Sequence, residues 1–195
     1  MAEAPDTLTF MIPASHLILG ETNALLERVS PADFDAFCDH LWAASRVMAY
    51  ATGRSGFLLR GFIMRLNHLG RSAYYVGDAS TPPVGQDDVF LTVSGSGSTA
   101  TSLGAAREAK RLGASVCAIL GSPSSPLGTL AHPVLHLPAA HKRGIAKDGL
   151  PSQQTTGSLF EQGAFILLES IIQRCFVDQG QDREEALRRH ANIEA

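Results

Sequence analysis

The chain has 195 residues, 45% hydrophobic and 18% charged, with a formal net charge of -3. That size and balance fit one soluble domain spanning residues 1–195 with interior enough for a parallel sheet, and the slight acidity excludes a broad nucleic-acid surface, which needs clustered basic residues. Met1 to Phe10 carry no basic-then-apolar leader and no stretch reaches about 18 uninterrupted apolar residues, so neither export nor membrane spanning is expected. Cys38, Cys117 and Cys175 are scattered, without metal-ligand spacing, and read as reduced thiols of a cytoplasmic protein.

In chain order, Met11 to Val29 and Asp33 to Ala44 show helical spacing, split by Ser30-Pro31 as a cap with a first-turn proline. They predict a helical hairpin. Val47 to Ala51 is a buried-strand candidate that runs into the loop Gly53-Arg54-Ser55-Gly56, after which Phe57 to Leu69 repeats apolar residues at helical spacing until Gly70. Ser72 to Val76 is the next strand candidate, followed by the proline-bearing connection Thr81-Pro82-Pro83. Val89 to Val93 leads into Ser94-Gly95-Ser96-Gly97-Ser98-Thr99, then a helix over Ala100 to Leu112 and a strand over Val116 to Leu120. Gly121 to Leu130 reads as a loop or short helix, Pro133 to Leu137 as a last short strand, His141 to Thr156 as irregular, and Gly157 to Val177 as the last large helix.

Strands alternating with helices predict a three-layer α/β sandwich with a flavodoxin-like parallel sheet, because parallel neighbours need crossover connections. With the order 2-1-3-4-5, the first and third strands are adjacent and both glycine loops meet at the switch point beyond their carboxyl ends. A hydroxyl- and glycine-rich turn entering a helix gathers backbone N–H groups, hydroxyls and the positive helix end around an anion. The expected ligand is a phosphorylated small molecule. Gly53 and Gly56 alone could serve only a tight turn, but four hydroxyl residues within six positions exceed what a turn requires. Neither loop carries a dinucleotide Gly-x-Gly-x-x-Gly or a nucleotide Gly-Lys-Ser/Thr, which disfavours NAD and ATP. His132, His136 and His141 flank two prolines without a facial cluster, so no metal is expected.

The two loops, Arg65-Leu66-Asn67-His68-Leu69-Gly70, Ser122 to Gly128, Gly157-Ser158-Leu159-Phe160-Glu161-Gln162 and the tail Arg189-His190-Ala191-Asn192-Ile193-Glu194 together resemble the sugar isomerase (SIS) domain family, in its 6-phospho-3-hexuloisomerase branch. The serine loop marks the superfamily, whereas the Phe-Glu-Gln block and the tail narrow it to the branch. The resemblance implies isomerisation of 3-hexulose 6-phosphate to fructose 6-phosphate without metal or organic cofactor, in formaldehyde fixation through the ribulose monophosphate route or its reverse, by a homotetramer. It places Ser55 and Ser94, Gly95, Ser96, Gly97, Ser98 and Thr99 on the substrate's phosphate and hydroxyls and makes Glu161 the base. His190 falls in or near an active site, that of its own chain or of a neighbouring subunit. Three departures stand out: Ala51-Thr52 where relatives often carry Gly-Ala, Ser98 where the family commonly has Glu, and the polar run Gln153 to Thr156. Because Ser98 bears on specificity, arabinose 5-phosphate and sedoheptulose 7-phosphate isomerases stay open, as does a phosphosugar sensor, although no helix-turn-helix pattern precedes the first strand.

Moving a carbonyl to the adjacent carbon needs a base to take the proton beside it and to return one to the neighbouring carbon through an enediolate. Glu161, in the first turn of an apolar helix beside Phe160, Ala164 and Phe165, is placed for that, and equally placed merely to favour the helix dipole. Arg54, His190 or backbone N–H groups are candidate donors to the enediolate oxygen. Arg54 could instead only pair with an acid, and His190, after Arg188 and Arg189, could be a solvated histidine. His68 with Arg65 reads as packing or subunit contact, and Lys142 with Arg143 as a solvated loop or a guard at the pocket mouth. The apolar run Phe165 to Phe176 and the hairpin offer more apolar surface than one sheet face needs, which predicts oligomerisation.

Overall fold

The computed structural model describes residues 7–141, 149–180, 182–190 and 192, with side chains from Met11 onward. Helices α1 (Thr7–Leu26) and α2 (Pro31–Ala43) form the hairpin, divided where Ser30 Oγ accepts the Asp33 N–H at 3.2 Å and Pro31 opens α2. The core alternates β1 (Arg46–Ala49), α3 (Gly53–His68), β2 (Ala73–Tyr75), β3 (Asp88–Ser94), α4 (Ala100–Arg111), β4 (Ser115–Leu120), α5 (Pro126–Leu130) and β5 (Val134–His136). The chain continues through α6 (Ser158–Asp178) and α7 (Arg183–Arg188).

All four strand pairings are parallel, in the order β2-β1-β3-β4-β5. The expected sheet is therefore present, and its central strand shows why: every residue of β3 is buried, as a strand covered on both faces requires. Successive residues serve opposite faces. Val89, Leu91 and Val93 join Val47 and Ala49 under α1, α2, α3 and α6, while Phe90 joins Met48, Val116 and Ala118 under α4 and α5. At the amino edge of the sheet, Asp88 is buried but accepts two hydrogen bonds from the Arg46 guanidinium at 2.8 Å and one from the Gly85 N–H at 2.7 Å, which offsets the cost of taking a carboxylate out of water.

The first glycine loop differs from the sequence expectation. Residues 53–56 form the opening turn of α3 rather than a loop ahead of it, because Gly53 takes φ 62° and lets the chain enter the helix directly from Thr52. Gly56 then sits so close to the Ala51 carbonyl that a Cβ would approach its oxygen to 2.5 Å. α3 is consequently drawn tightly onto the end of β1, where the Tyr75 hydroxyl also donates to the Ala51 carbonyl. β1 ends at Ala49 rather than Ala51, and α1 runs Thr7–Leu26 instead of starting at Met11 and reaching Val29.

Candidate active site

The carboxyl ends of β1 and β3 open into a cavity of about 280 Å³ at the point where strand order reverses. Three helices begin there: α3 behind Thr52, α4 behind Thr99 and α6 behind Gly157, and none has its first N–H groups capped by a side chain. Thr is a competent cap, yet neither threonine turns to that task. The Ser158 N–H that opens α6 donates to the Thr155 carbonyl at 3.0 Å, and the cavity otherwise meets helix-start donors without a side-chain cap and positive helix ends, the elements of an anion site.

Of the expected residues, Arg54, Ser55, Ser94, Gly95, Ser96, Thr99 and Glu161 all line this cavity. Gly97 and Ser98 do not. Gly97 adopts φ 58° and lies against Ser125, where a Cβ would come within 1.8 Å of Oγ, so it serves the turn. Its N–H donates to Ser94 Oγ at 3.1 Å, while Ser98 turns back to Ser96, with its N–H at 3.3 Å and its hydroxyl at 3.2 Å from Ser96 Oγ. The loop is thus laced by its own hydroxyls, with residues 94–96 and Thr99 facing the cavity and residues 97 and 98 turned into the loop.

Glu161 projects from the first turn of α6 with its side chain 9% exposed. Arg54 Nη1 lies 2.9 Å from Oε2, with an arginine side chain 59% exposed, and also donates to Ser158 Oγ at 3.3 Å. The contact to Oε2 has the distance of an ion pair without hydrogen-bond alignment, so that buried oxygen has a cation beside it and no directed donor. A carboxylate in this state is compensated in charge yet keeps lone pairs free to accept a proton.

His190 is not among the cavity residues. It stacks on His68, ring centroids 3.6 Å apart, at the far end of α3, where Arg189 Nη1 donates to the His68 carbonyl at 3.2 Å. With about 1.5 Å of rise per residue, the α3 backbone at Arg54 and at His68 stands roughly 20 Å apart. The tail therefore packs on the opposite end of the helix from its own chain's cavity.

Sequence reasoning did not assign Thr52, Ser102, Phe160 or His141 to the site, yet each lines it. Ser102 follows Thr99 by one helical turn, a spacing that could have revealed it. His141, considered only as a metal ligand, arrives on the segment after β5, with Nε2 3.3 Å from Ser122 Oγ. Among the described residues no group of three His, Cys, Asp or Glu side chains is gathered as for a metal ion. Lys142 and Arg143 lie outside the described residues.

The segment ahead of α6 is held from a distance. Glu21 on α1 accepts from Ser152 Oγ at 2.6 Å, the Gln153 N–H at 2.9 Å and Gln154 Nε2 at 2.9 Å. Burial pushes this carboxyl up, but the three hydrogen bonds, led by the Gln153 N–H, outweigh it and hold the group below the ordinary glutamate value. The polar run that departs from the apolar pattern is therefore the matching half of a clasp.

Comparison with known proteins points the same way. The SIS domain profile matches residues 40–160. A protein from Mycobacterium gastri named 3-hexulose-6-phosphate isomerase is 35% identical over 178 residues, covering 91% of this chain and 88% of its own length. A protein of the same name from Bacillus subtilis is 32% identical over 177 residues, covering 91% and 95%. A solved structure from Methanococcus jannaschii, described as inferring a molecular function of 3-hexulose-6-phosphate isomerase, superposes with a TM-score of 0.80 at 26% identity, covering 93% of this chain and 99% of that one.

Proposed function

The chain belongs to the SIS domain family, and on that premise we propose that it is a single-domain phosphosugar isomerase interconverting 3-hexulose 6-phosphate and fructose 6-phosphate. One observation carries the reading: the buried Glu161 carboxylate shares a cavity with the Ser94-Gly95-Ser96 turn and three uncapped helix starts. In this reading Ser55, Ser94, Ser96, Thr99 and the free N–H groups take the phosphate and hydroxyls of the substrate. Glu161 removes the C2 proton beside the C3 carbonyl and returns a proton to C3. As the carboxylate becomes neutral, negative charge passes to the enediolate, and Arg54, already beside Oε2, answers that charge without any new cation entering the site. Gly97 and Ser98 support the turn.

The remaining parts of the proposal are coarser. Proton transfer between side chains and substrate asks for no metal or organic cofactor. The three cysteines are free and buried, in keeping with the reducing cytoplasm, and among the described residues no helix is long and apolar enough to cross a membrane. Leu19, Phe165 and Ile166 are exposed along an apolar groove of α1, α3 and α6 that reaches Arg54 and Glu161, a face for assembly into a homotetramer in which His190 serves a neighbouring subunit's cavity. The pathway that fits is the ribulose monophosphate route or its reverse.

A coupled assay tests the reading: 3-hexulose 6-phosphate is supplied to the metal-free protein and fructose 6-phosphate is followed, with arabinose 5-phosphate and sedoheptulose 7-phosphate in parallel. Turnover of the hexulose alone is expected. Turnover of only another sugar phosphate moves the specificity, and binding without turnover replaces the enzyme with a sensor.

A further inference from the structure

The isomerisation moves two protons, and Glu161 accounts for one. In 3-hexulose 6-phosphate the carbonyl is at C3 and the hydroxyl at C2, whereas in fructose 6-phosphate the carbonyl is at C2 and the hydroxyl at C3. A proton must therefore also leave O2 and another arrive at O3, and a carboxylate committed to the carbons needs a partner for the oxygens. We propose that His141 is this partner, a second catalytic residue that gives a proton to O3 and takes one from O2. The inference rests on the isomerase reading above.

Three observations support it. His141 lines the cavity that holds Glu161, half-buried rather than out in solvent. Its backbone is set by the isolated bridge of Ala139 to Leu150, in which the Ala140 N–H donates to the Leu150 carbonyl at 3.0 Å just before the histidine, so the ring is delivered from an anchored segment. The ring is also oriented: Nε2 lies 3.3 Å from Ser122 Oγ, and the side chain packs over Gly95, where a Cβ would meet His141 Cβ at 2.8 Å and Phe160 Cδ1 at 3.4 Å. Gly95 thus leaves room for two side chains at once, the imidazole and the residue that precedes the base. A supported imidazole and a carboxylate lining one small cavity supply the two groups that proton transfer at two kinds of atom calls for.

The electron count closes. The C2–H pair becomes the C2–C3 double bond as Glu161 takes the proton, and the C3 carbonyl π pair becomes the O3–H bond with a proton from the imidazole. The O2–H pair then becomes the C2 carbonyl π bond as the imidazole recovers a proton, and the C2–C3 π pair takes the proton that Glu161 returns to C3. Both side chains end as they began.

Steady-state kinetics of full-length His141→Gln and His141→Ala test this, with 3-hexulose 6-phosphate as substrate and fructose 6-phosphate binding measured by calorimetry. The expected result is a fall in kcat of about 100-fold, with KM and product affinity held within roughly threefold and with free imidazole restoring part of the His141→Ala rate, which lost packing alone would not allow. A kcat within roughly threefold of wild type, or a loss confined to KM, overturns the role. Wild-type protein inactive on the hexulose overturns the isomerase reading and this inference together; active wild type with unimpaired His141→Gln overturns this inference alone.

Discussion

Helices α3, α4 and α6 and helices α2, α5 and α7 treat their amino ends in opposite ways. Ser30, Ser125 and Asp182 each turn a side-chain oxygen to a backbone N–H of the helix they precede. Thr52, Thr99 and Gly157, which border the cavity, do not. A missing cap costs on the order of 1 kcal/mol, and under the proposed function the three omissions at one place are donors kept for a ligand. Side-chain caps are thus present on three helices whose starts lie away from the cavity and absent from the three that open into it.

The sharpest test of the open end is Glu161→Gln, which keeps the shape and removes the base. Turnover is expected to fall by roughly 1,000-fold or more while phosphosugar affinity stays within about threefold; near-native turnover would show that the cavity works without the carboxylate. Next in size is a matched pair. Ser30→Ala is expected to lower unfolding free energy by about 1 kcal/mol and leave kinetics unchanged, whereas Thr99→Ala should leave the melting curve in place and weaken phosphosugar binding by up to about tenfold. Equal destabilisation by both would dissolve the contrast.

Smaller again is Glu21→Gln. Its hydrogen bonds are charge-assisted but partly open to water, so a loss below about 1 kcal/mol is expected at neutral pH. The folded chain holds this carboxyl below its ordinary value, so the stabilisation is complete above that value, near 4.5, and disappears as pH falls through the lower folded value. Thermal melts of wild type and variant should accordingly converge on acidification. The smallest effect belongs to the far end of α3. Burial, then the neighbouring His190 and Arg65, hold His68 below the usual imidazole value of 6.5. The unfolded chain is thus the better proton acceptor, and stability present above pH about 6.5 declines below it. His68→Gln should flatten that slope, and an unchanged slope would place its origin elsewhere.

The sheet order was legible because strands and helices alternate with clear stops, and both glycine loops fell at the switch point that such an order creates. Glu161 was legible as an acid opening a long apolar helix, although its pairing with Arg54 joins residues 107 positions apart and no local pattern encodes it. The harder cases follow from packing. Ser96 and Ser98 are indistinguishable as letters, and only the turn at Gly97 sends one to the cavity and the other back onto the loop. His132, His136 and His141 have similar spacing to the prolines around them, yet only His141 reaches Gly95, a contact set by the bend after β5. The tail motif drew attention to His190, but its docking on His68 depends on the length of α3.

The clasp between Glu21 and residues 152–154 also bears on when the molecule becomes competent. Its two halves are separated by 131 to 133 residues, so a chain emerging amino end first presents the acceptor long before the donors exist. The sheet strands are all made in that interval, and closing so long a span comes with an entropy cost that only an already ordered body can offset. The segment leading into α6 is therefore set after the sheet has formed, and a chain still being synthesised completes its Ser94 to Thr99 turn well before Glu161 is made.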